Sequence, residues 1–304
     1  METLNQERPG NLKAAFYLTF TLFAFSSIEI IANPVRHDVP PMLMNFWRFL
    51  IGAAILLPAL LYRRYNQLKQ LQGSDMIKLT LLGCMNIILA MGAHSLCIKY
   101  AKASTAAILI SANPIATNFF SWLILKEKMG LKRIFSLVLG ATGIVLIAAR
   151  ADGAVDTLPG VIAGIFSMSG FGLYTVLSKK MVQKHGGLLV LVMSCVPTLV
   201  IYLPVLYFFD QGFWPPAHSW PNLLGMGIIG TGLGYLTFMK CLEFLSAGRT
   251  SYLFFFKPAV AMFLAWAFLG ESISRSAIFG TILIMTGIIS EISRATATKP
   301  PVTA

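Results

Sequence analysis

Charge is scarce in this chain, and negative charge most of all: 12 Asp and Glu stand against 24 Lys and Arg in 304 residues, and charged residues make up only 12%. An ordinary soluble domain has about 25% charged residues, so that class is excluded. Cysteine is equally sparse. Cys84, Cys97, Cys195 and Cys241 fall inside or at the ends of apolar stretches without paired spacing, which reads as small buried residues rather than a disulfide framework. The histidines, His37, His94, His185 and His218, are scattered, and neither a zinc set nor a paired-aspartate magnesium site can be assembled from neighbouring residues. No Gly-rich stretch ends in Gly-Lys-Ser/Thr, so no ATPase is evident. The chain is expected to use no cofactor and no metal.

What the sequence has instead is apolar length. Hydrophobic residues make up 56%, in runs of the roughly 20 residues that span a hydrocarbon core. Ten spans are expected, at 14–35, 41–62, 77–98, 104–125, 132–149, 158–178, 188–209, 222–240, 250–269 and 275–293. The first lacks a small-residue cleavage site before a soluble domain and reads as an uncleaved membrane anchor. Trp214, Trp220, Tyr207 and Tyr62, near span ends, read as interface anchors.

The chain repeats itself. Residues 103–147 set against 247–291 match at Pro114/Pro258, Trp122/Trp266, Glu127/Glu271, Thr142/Thr286 and Gly143/Gly287, all at one offset of 144. Apolar composition would supply matching Leu and Ile, but not these. A polar link at Asp152, Gly153, Asp156 and Pro159 divides the chain into two five-helix repeats, 1–150 and 151–304. Because five is odd, the second copy enters the membrane from the opposite side, which makes an all-α inverted repeat.

The net charge of +12 could suggest nucleic acid, but its distribution excludes that partner. With the N-terminus inside, 17 of the 24 Lys and Arg fall on the cytoplasmic side and five on the other, while Arg48 and Lys257 lie within spans. This is the positive-inside bias, and it places both termini in the cytoplasm.

Two segments carry a family resemblance. Lys99-Tyr100-Ala101-Lys102-Ala103-Ser104 leads to Pro114, Trp122, Leu125 and Glu127, and Glu243-Phe244-Leu245-Ser246-Ala247-Gly248 leads to Pro258, Trp266, Leu269 and Glu271. With ten helices, the duplication and Tyr174 to Lys180 at the end of helix six, the chain resembles the drug/metabolite transporter superfamily in its EamA-like branch. The resemblance implies an inner-membrane carrier for small organic solutes, commonly an exporter of amino acids or other metabolites, with a central cavity open alternately to each side. Where many members have Trp-Gly in the first helix, this chain has Phe25-Ser26 and then Glu29, so the resemblance does not fix the substrate class.

The candidate site residues are the polar ones at depth. Lys257 lies roughly 12 Å along helix nine, near the bilayer centre, where a charge normally faces a cavity or a partner. It reads as the contact for a substrate carboxylate or phosphate, or else as a lysine tied to a glutamate or to helix carbonyls. Pro258 after it and Pro114 after Asn113 break their helices and expose carbonyl groups. Asn113 is the counterpart of Lys257 on helix four, with Thr117 one turn on; the pair either lines the cavity or joins helices by hydrogen bonds. Phe254 and Thr250 share the face of Lys257, whereas Tyr252, Phe255 and Phe256 read as packing toward lipid. Glu29 and Arg48, at similar depth in the outer half, read as an ion pair, with proton handling by Glu29 as the alternative. His94 is either a proton relay or a packing residue. Gly225, Gly227, Gly230, Gly232 and Gly234 let helix eight pack closely or bend. Gly160 and Gly164 read as a packing pair within the fold rather than between protomers, which favours a monomer and leaves a homodimer open.

The expected partners are therefore a small-molecule solute, an amino acid or similar metabolite, and the lipid bilayer. The rival transport reading, an organic-phosphate or nucleotide-sugar exchanger, wants more than one cation in the cavity. An intramembrane transferase or hydrolase would need a catalytic acid cluster that the sequence does not offer, and a passive channel would show neither saturation nor trans-stimulation. The topology is directly testable: reporter fusions at Met129 and at the C-terminus should read cytoplasmic and one at Gly153 external, and a cytoplasmic signal at Gly153 would reject the inverted repeat.

Overall fold

In lipid a backbone has no water to bond to, so apolar runs of this length satisfy their own peptide groups as helices. A computed structural model of the chain describes residues 11–35, 37–100, 109–148, 158–209 and 213–269, with isolated residues between 275 and 287. Regular structure among the described residues is entirely helical. Helix α1 is Asn11–Ala32 and α2 is Pro41–Lys69; α3 covers residues 73–100, α4 is Asn113–Leu125 and α5 is Leu131–Ala148. Then come α6 at Leu158–His185, α7 at Gly187–Phe209, α8 over residues 220–244 and α9 at Leu253–Leu269. Six of these, α1, α2, α3, α6, α7 and α8, are long and apolar enough to cross a membrane. The span expected at 275–293 lies mostly outside the described residues.

Helices α3 and α8 share an irregularity. Each widens to π-helix in its middle, at Cys84–Ala90 and at Met226–Leu233, and a π turn shifts the backbone bonding register by one residue. The expected breaks at the two prolines need correction. Pro114 sits in the first turn of α4, where a missing N–H costs nothing, and the discontinuity lies before it at Ala112, φ −78° and ψ 0°. Pro258 lies inside α9; the break comes earlier, at Tyr252, between a short helix Ala247–Ser251 and Leu253. At both breaks the ladder tightens to three-residue bonds, Ile115 N–H to the Ala112 carbonyl at 3.0 Å and Phe255 N–H to the Tyr252 carbonyl at 3.1 Å.

The halves do not fold as separate bundles. Helix α1 packs mainly on α8 and α9, α2 on α7 and α8, α3 on α6 and α7, and α4 on α6. Small residues permit the closest approaches. A Cβ on Gly83 of α3 would collide with the Ser194 carbonyl and the Thr198 hydroxyl of α7, and one on Gly164 of α6 with Leu109. The latter places Gly164 at a seam within the fold. In α8, a Cβ on Gly227 would meet Ile51 at 2.6 Å and one on Gly234 would meet Ala24 at 3.1 Å, so these glycines admit α1 and α2. Two aromatic expectations are corrected here. Phe255 and Tyr252 do not face lipid; both are buried with Leu137 of α5.

Charge gathers at one end of the bundle. Asp75, 2% exposed, accepts hydrogen bonds from Lys184 Nζ at 2.5 Å and pairs with His185 Nε2 at 2.9 Å, joining the start of α3 to the end of α6. Gly186, with φ 80°, then turns the chain straight into α7, a conformation that suits glycine. The Glu243 carboxylate accepts from the Gly187 N–H at 2.7 Å, placing an acid at the positive end of α7. Lys179 donates to the Leu242 and Leu245 carbonyls at 2.5 and 2.8 Å, closing the end of α8. The opposite end is aromatic: the Trp47 ring packs against Trp220 at 4.8 Å and Trp214 at 5.2 Å. Trp220 thus joins the fold, while Trp214, Tyr207 and Tyr62 stay exposed.

The Gly83 contact predicts that Gly83→Val destabilises the protein by about 1–3 kcal/mol through overpacking. The detergent-solubilised variant should melt below the wild type, whereas Gly73→Val, where a Cβ meets nothing within 4 Å, should not.

Candidate functional site

A group of polar side chains lies inside the bundle, built from α1, α2, α3, α7 and α9. On α2, Asn45 and Arg48 are one helical turn apart, so their side chains meet, and Arg48 Nε donates to Asn45 Oδ1 at 3.2 Å. The Asn45 amide donates onward to the Ile87 carbonyl at 3.0 Å and the Tyr202 hydroxyl at 3.3 Å. Ile87 belongs to the π stretch of α3, where the displaced register makes a carbonyl available to a side chain. The Arg48 guanidinium stands 4.9 Å from the centre of the Phe49 ring, a cation–π arrangement.

Lys257 is 8% exposed, in the interior of α9. Ser26 of α1 donates to its backbone carbonyl at 3.4 Å. Pro258 offers no N–H to the carbonyl one turn back, that of Phe254. On α3, the positive charges of Lys257 and Arg48 both act on the His94 ring, and His94 Nδ1 is buried without a hydrogen-bond partner. Lys257 of α9 and Arg48 of α2 thus both lie within electrostatic range of His94 on α3. For Glu29 the side chain lies outside the described residues, and so does its expected pairing with Arg48.

Asn113 and Thr117 form a unit of their own on α4. Both are fully buried. The Thr117 hydroxyl donates to Asn113 Oδ1 at 3.2 Å, while Asn113 Nδ2 has no partner. Gly172 of α6 lies against this turn, where a Cβ would come within 2.8 Å of the Thr117 nitrogen. Thr250 is fully buried. It sits in the short helix before the break, and its hydroxyl donates to the Ser246 carbonyl at 3.0 Å, which makes it part of a local cap. Phe254 joins an aromatic cluster, with ring centroids 5.7 Å from Phe25, 5.2 Å from Phe171 and 6.0 Å from Phe238.

Several polar residues here were not singled out in the sequence. Asn45 and Asn86 are both buried; amides inside apolar spans carry the same signal as Asn113, and it was there to be read. Asn118, also buried, donates to the Pro114 carbonyl at 2.7 Å and accepts from Arg133 Nε. Arg133 also pairs with Glu127 at 3.0 Å, so the Leu-x-Glu ending of α4 returns the chain to its own helix. Lys126, in the left-handed conformation at φ 56°, makes that turn. Asp75 lies near a span end, where an acid carries no signal of its own; its partners Lys184 and His185 are distant in sequence.

Comparison with known proteins agrees with this architecture. The chain is 30% identical over 286 residues to an uncharacterized transporter of Clostridium kluyveri, covering 91% of this chain and 92% of that one. It is 25% identical to the uncharacterized transporter YvbV of Bacillus subtilis, covering 86% and 85%, and 26% identical to YoaV of the same organism, covering 83% and 87%. A crystal structure of a protein with 18% identity superposes at a TM-score of 0.81 over 94% of this chain and 99% of the other, which shows the fold alone. The model of the EamA-like transporter family matches twice, at residues 12–149 and 158–290. A multi-pass helical membrane protein with a buried lysine in its interior, the chain belongs to the EamA-like transporter family.

Proposed function

We propose that this chain is a secondary carrier that exports amino acids or similar small metabolites across the cell's inner or plasma membrane by alternating access. Ten helices form two inverted five-helix repeats, with both termini cytoplasmic. The pairing of helices supports the repeat: α1 packs on α8 and α9 as α6 packs on α3 and α4, and α2 packs on α8 as α7 packs on α3. That is the pattern of a two-fold relation between the first five helices and the second. The matching π stretches in α3 and α8 and the two family matches support it as well. The 17-to-5 charge split supports the orientation.

The observation that carries the functional reading is a buried lysine in the middle of an apolar helix, Lys257. Groups so expensive to place at depth mark solute pathways. Lys257 takes the carboxylate of the solute, and Asn113, with a buried amide nitrogen open to an acceptor, takes a polar atom. Phe254 forms an apolar wall. Glu29 balances Arg48, or else carries a proton through the cycle with His94. The approach of Arg48 to the same imidazole as Lys257 also favours the second reading, an organic-phosphate or nucleotide-sugar exchanger, which needs two cations.

Removal of one charge-assisted hydrogen bond, about 1.5–3 kcal/mol, corresponds to roughly ten- to hundredfold weaker binding. Lys257→Met should therefore insert and fold but lose most transport in proteoliposomes screened with candidate solutes, with and without a pH gradient. Wild-type flux by a well-expressed variant would remove Lys257 from the site, and collapse of the protein would make it a structural lysine.

A further inference from the structure

We infer that two polar contacts of opposite orientation latch two gates, Asp75 with Lys184 and His185 at the basic end and His218 with Asp38 at the aromatic end, and that the aromatic end opens first; the device rests on the alternating-access carrier proposed for this chain. The contacts occupy corresponding places in the two halves. The π stretches end at Ala90 and Leu233, an offset of 143, which sets Asp75 at the start of α3 against His218 just before α8. Helices α2 and α7 begin at Pro41 and Gly187, an offset of 146, which sets Asp38 ahead of α2 against Lys184 ahead of α7. Acid and base have changed places. Lys184 Nζ and His185 Nε2 meet the Asp75 carboxylate at 2.5 and 2.9 Å, whereas His218 Nε2 meets that of Asp38 at 3.0 Å. An imidazole holds a carboxylate by a hydrogen bond when neutral and as an ion pair when protonated.

Connectivity makes these contacts latches. Each joins the first hairpin of one half, α1–α2 or α6–α7, to the third helix of the other, so parting the halves at one end breaks that end's contact and leaves the other closed. Beyond each contact the latched helix widens to π, a place where helices bend, and its first turns can follow the hairpin while the rest stays packed. The latches differ in strength. The Asp75 side chain is 3% exposed and that of His185 16%, so loss of a partner strands a buried charge. Those of His218 and Asp38 are 63% and 47% exposed, where water screens the attraction. The basic end is also tied by Lys179 on the Leu242 and Leu245 carbonyls and by Glu243 on the Gly187 N–H. The aromatic end adds the Asn222 amide on the Ile31 carbonyl. The basic end is therefore the firmer.

Alkylation of single cysteines by a membrane-impermeant maleimide tests this without any solute, on the full-length protein in nanodiscs, which expose both faces. With the four native cysteines replaced by alanine, Met239→Cys reports the basic end, because Met239 is fully buried against Gly187. Val39→Cys, at a position 1% exposed beside Asp38, reports the aromatic end. Each rate is taken relative to the same protein unfolded in SDS. With both latches intact, position 39 should react faster than position 239. Asp75→Asn should speed reaction at 239 about tenfold or more and slow it at 39. Asp38→Asn should speed reaction at 39 up to about fivefold and slow it at 239, and the exchange Asp38→His with His218→Asp should restore the original rates. If Asp75→Asn does not fold, Lys184→Gln, at a half-exposed side chain, loosens the same latch and should shift both reporters in the same directions. Reporters that respond only to the latch beside them, or to neither, overturn the inference, as does faster reaction at 239 than at 39 with both latches intact. Saturable amino-acid flux in proteoliposomes separates the two proposals. Flux with uncoupled reporters keeps the carrier and removes the latches, whereas coupled reporters without flux keep the latches and remove the amino-acid carrier.

Discussion

A peptide group that loses its helical partner inside lipid must find another within the protein, and the irregular parts of this structure follow from that requirement. Four helices are interrupted or widened, and at several of these places a side chain reaches the backbone. Asn45 bonds the Ile87 carbonyl in the π stretch of α3, and Asn118 bonds the Pro114 carbonyl just after the break at Ala112. Ser26 meets the Lys257 carbonyl beside Pro258. The bonds of Asn45 and Ser26 tie neighbouring helices at the depth of the polar group, while that of Asn118 stays within α4.

The two ends of the bundle are held by different physics. At the basic end, Asp75, Glu243, Glu127 and Arg133 make ion pairs and close helix termini, bonds that are directional and respond to water and salt. At the other end Trp47 meets Trp220 edge to face and Trp214 at a tilt, and the Asn222 amide donates to the Ile31 carbonyl at 2.7 Å. Aromatic packing tolerates sliding better than an ion pair does, since its energy is spread over many weak contacts.

The legible part of the fold was whatever depended on local composition. Apolar length marks the six helices long enough to cross a membrane; helical periodicity puts Asn113 and Thr117 on one face, where their bond stays within α4 rather than joining helices. The fixed offset of Pro, Trp and Glu is the local signal for a duplication, and the family model matches at residues 12–149 and 158–290. The π stretches were not legible, because a one-residue shift in backbone register leaves no mark in composition. The break before Pro258 was misplaced to the proline itself, although the chain turns at Tyr252. Asp75 with Lys184, and Lys179 with Leu242, join residues far apart in sequence. Nothing local to Lys179 says that its ammonium turns inward to cap another helix.

The crossed packing of the two halves has a consequence for biosynthesis. Helices α1 to α4 find their main neighbours on α6 to α9, so a ribosome that has made the first half has made helices without the surfaces they are shaped to meet. Asn113 precedes Lys257 by 144 residues, and at about 5–20 residues per second the delay between them is roughly 7–30 s. During that interval Asn45, Arg48, His94 and Asn113 sit in or beside lipid without the second-half helices that enclose them. The early intermediate is consequently the most vulnerable state of this protein, and whatever shields polar groups in newly inserted helices acts on it then.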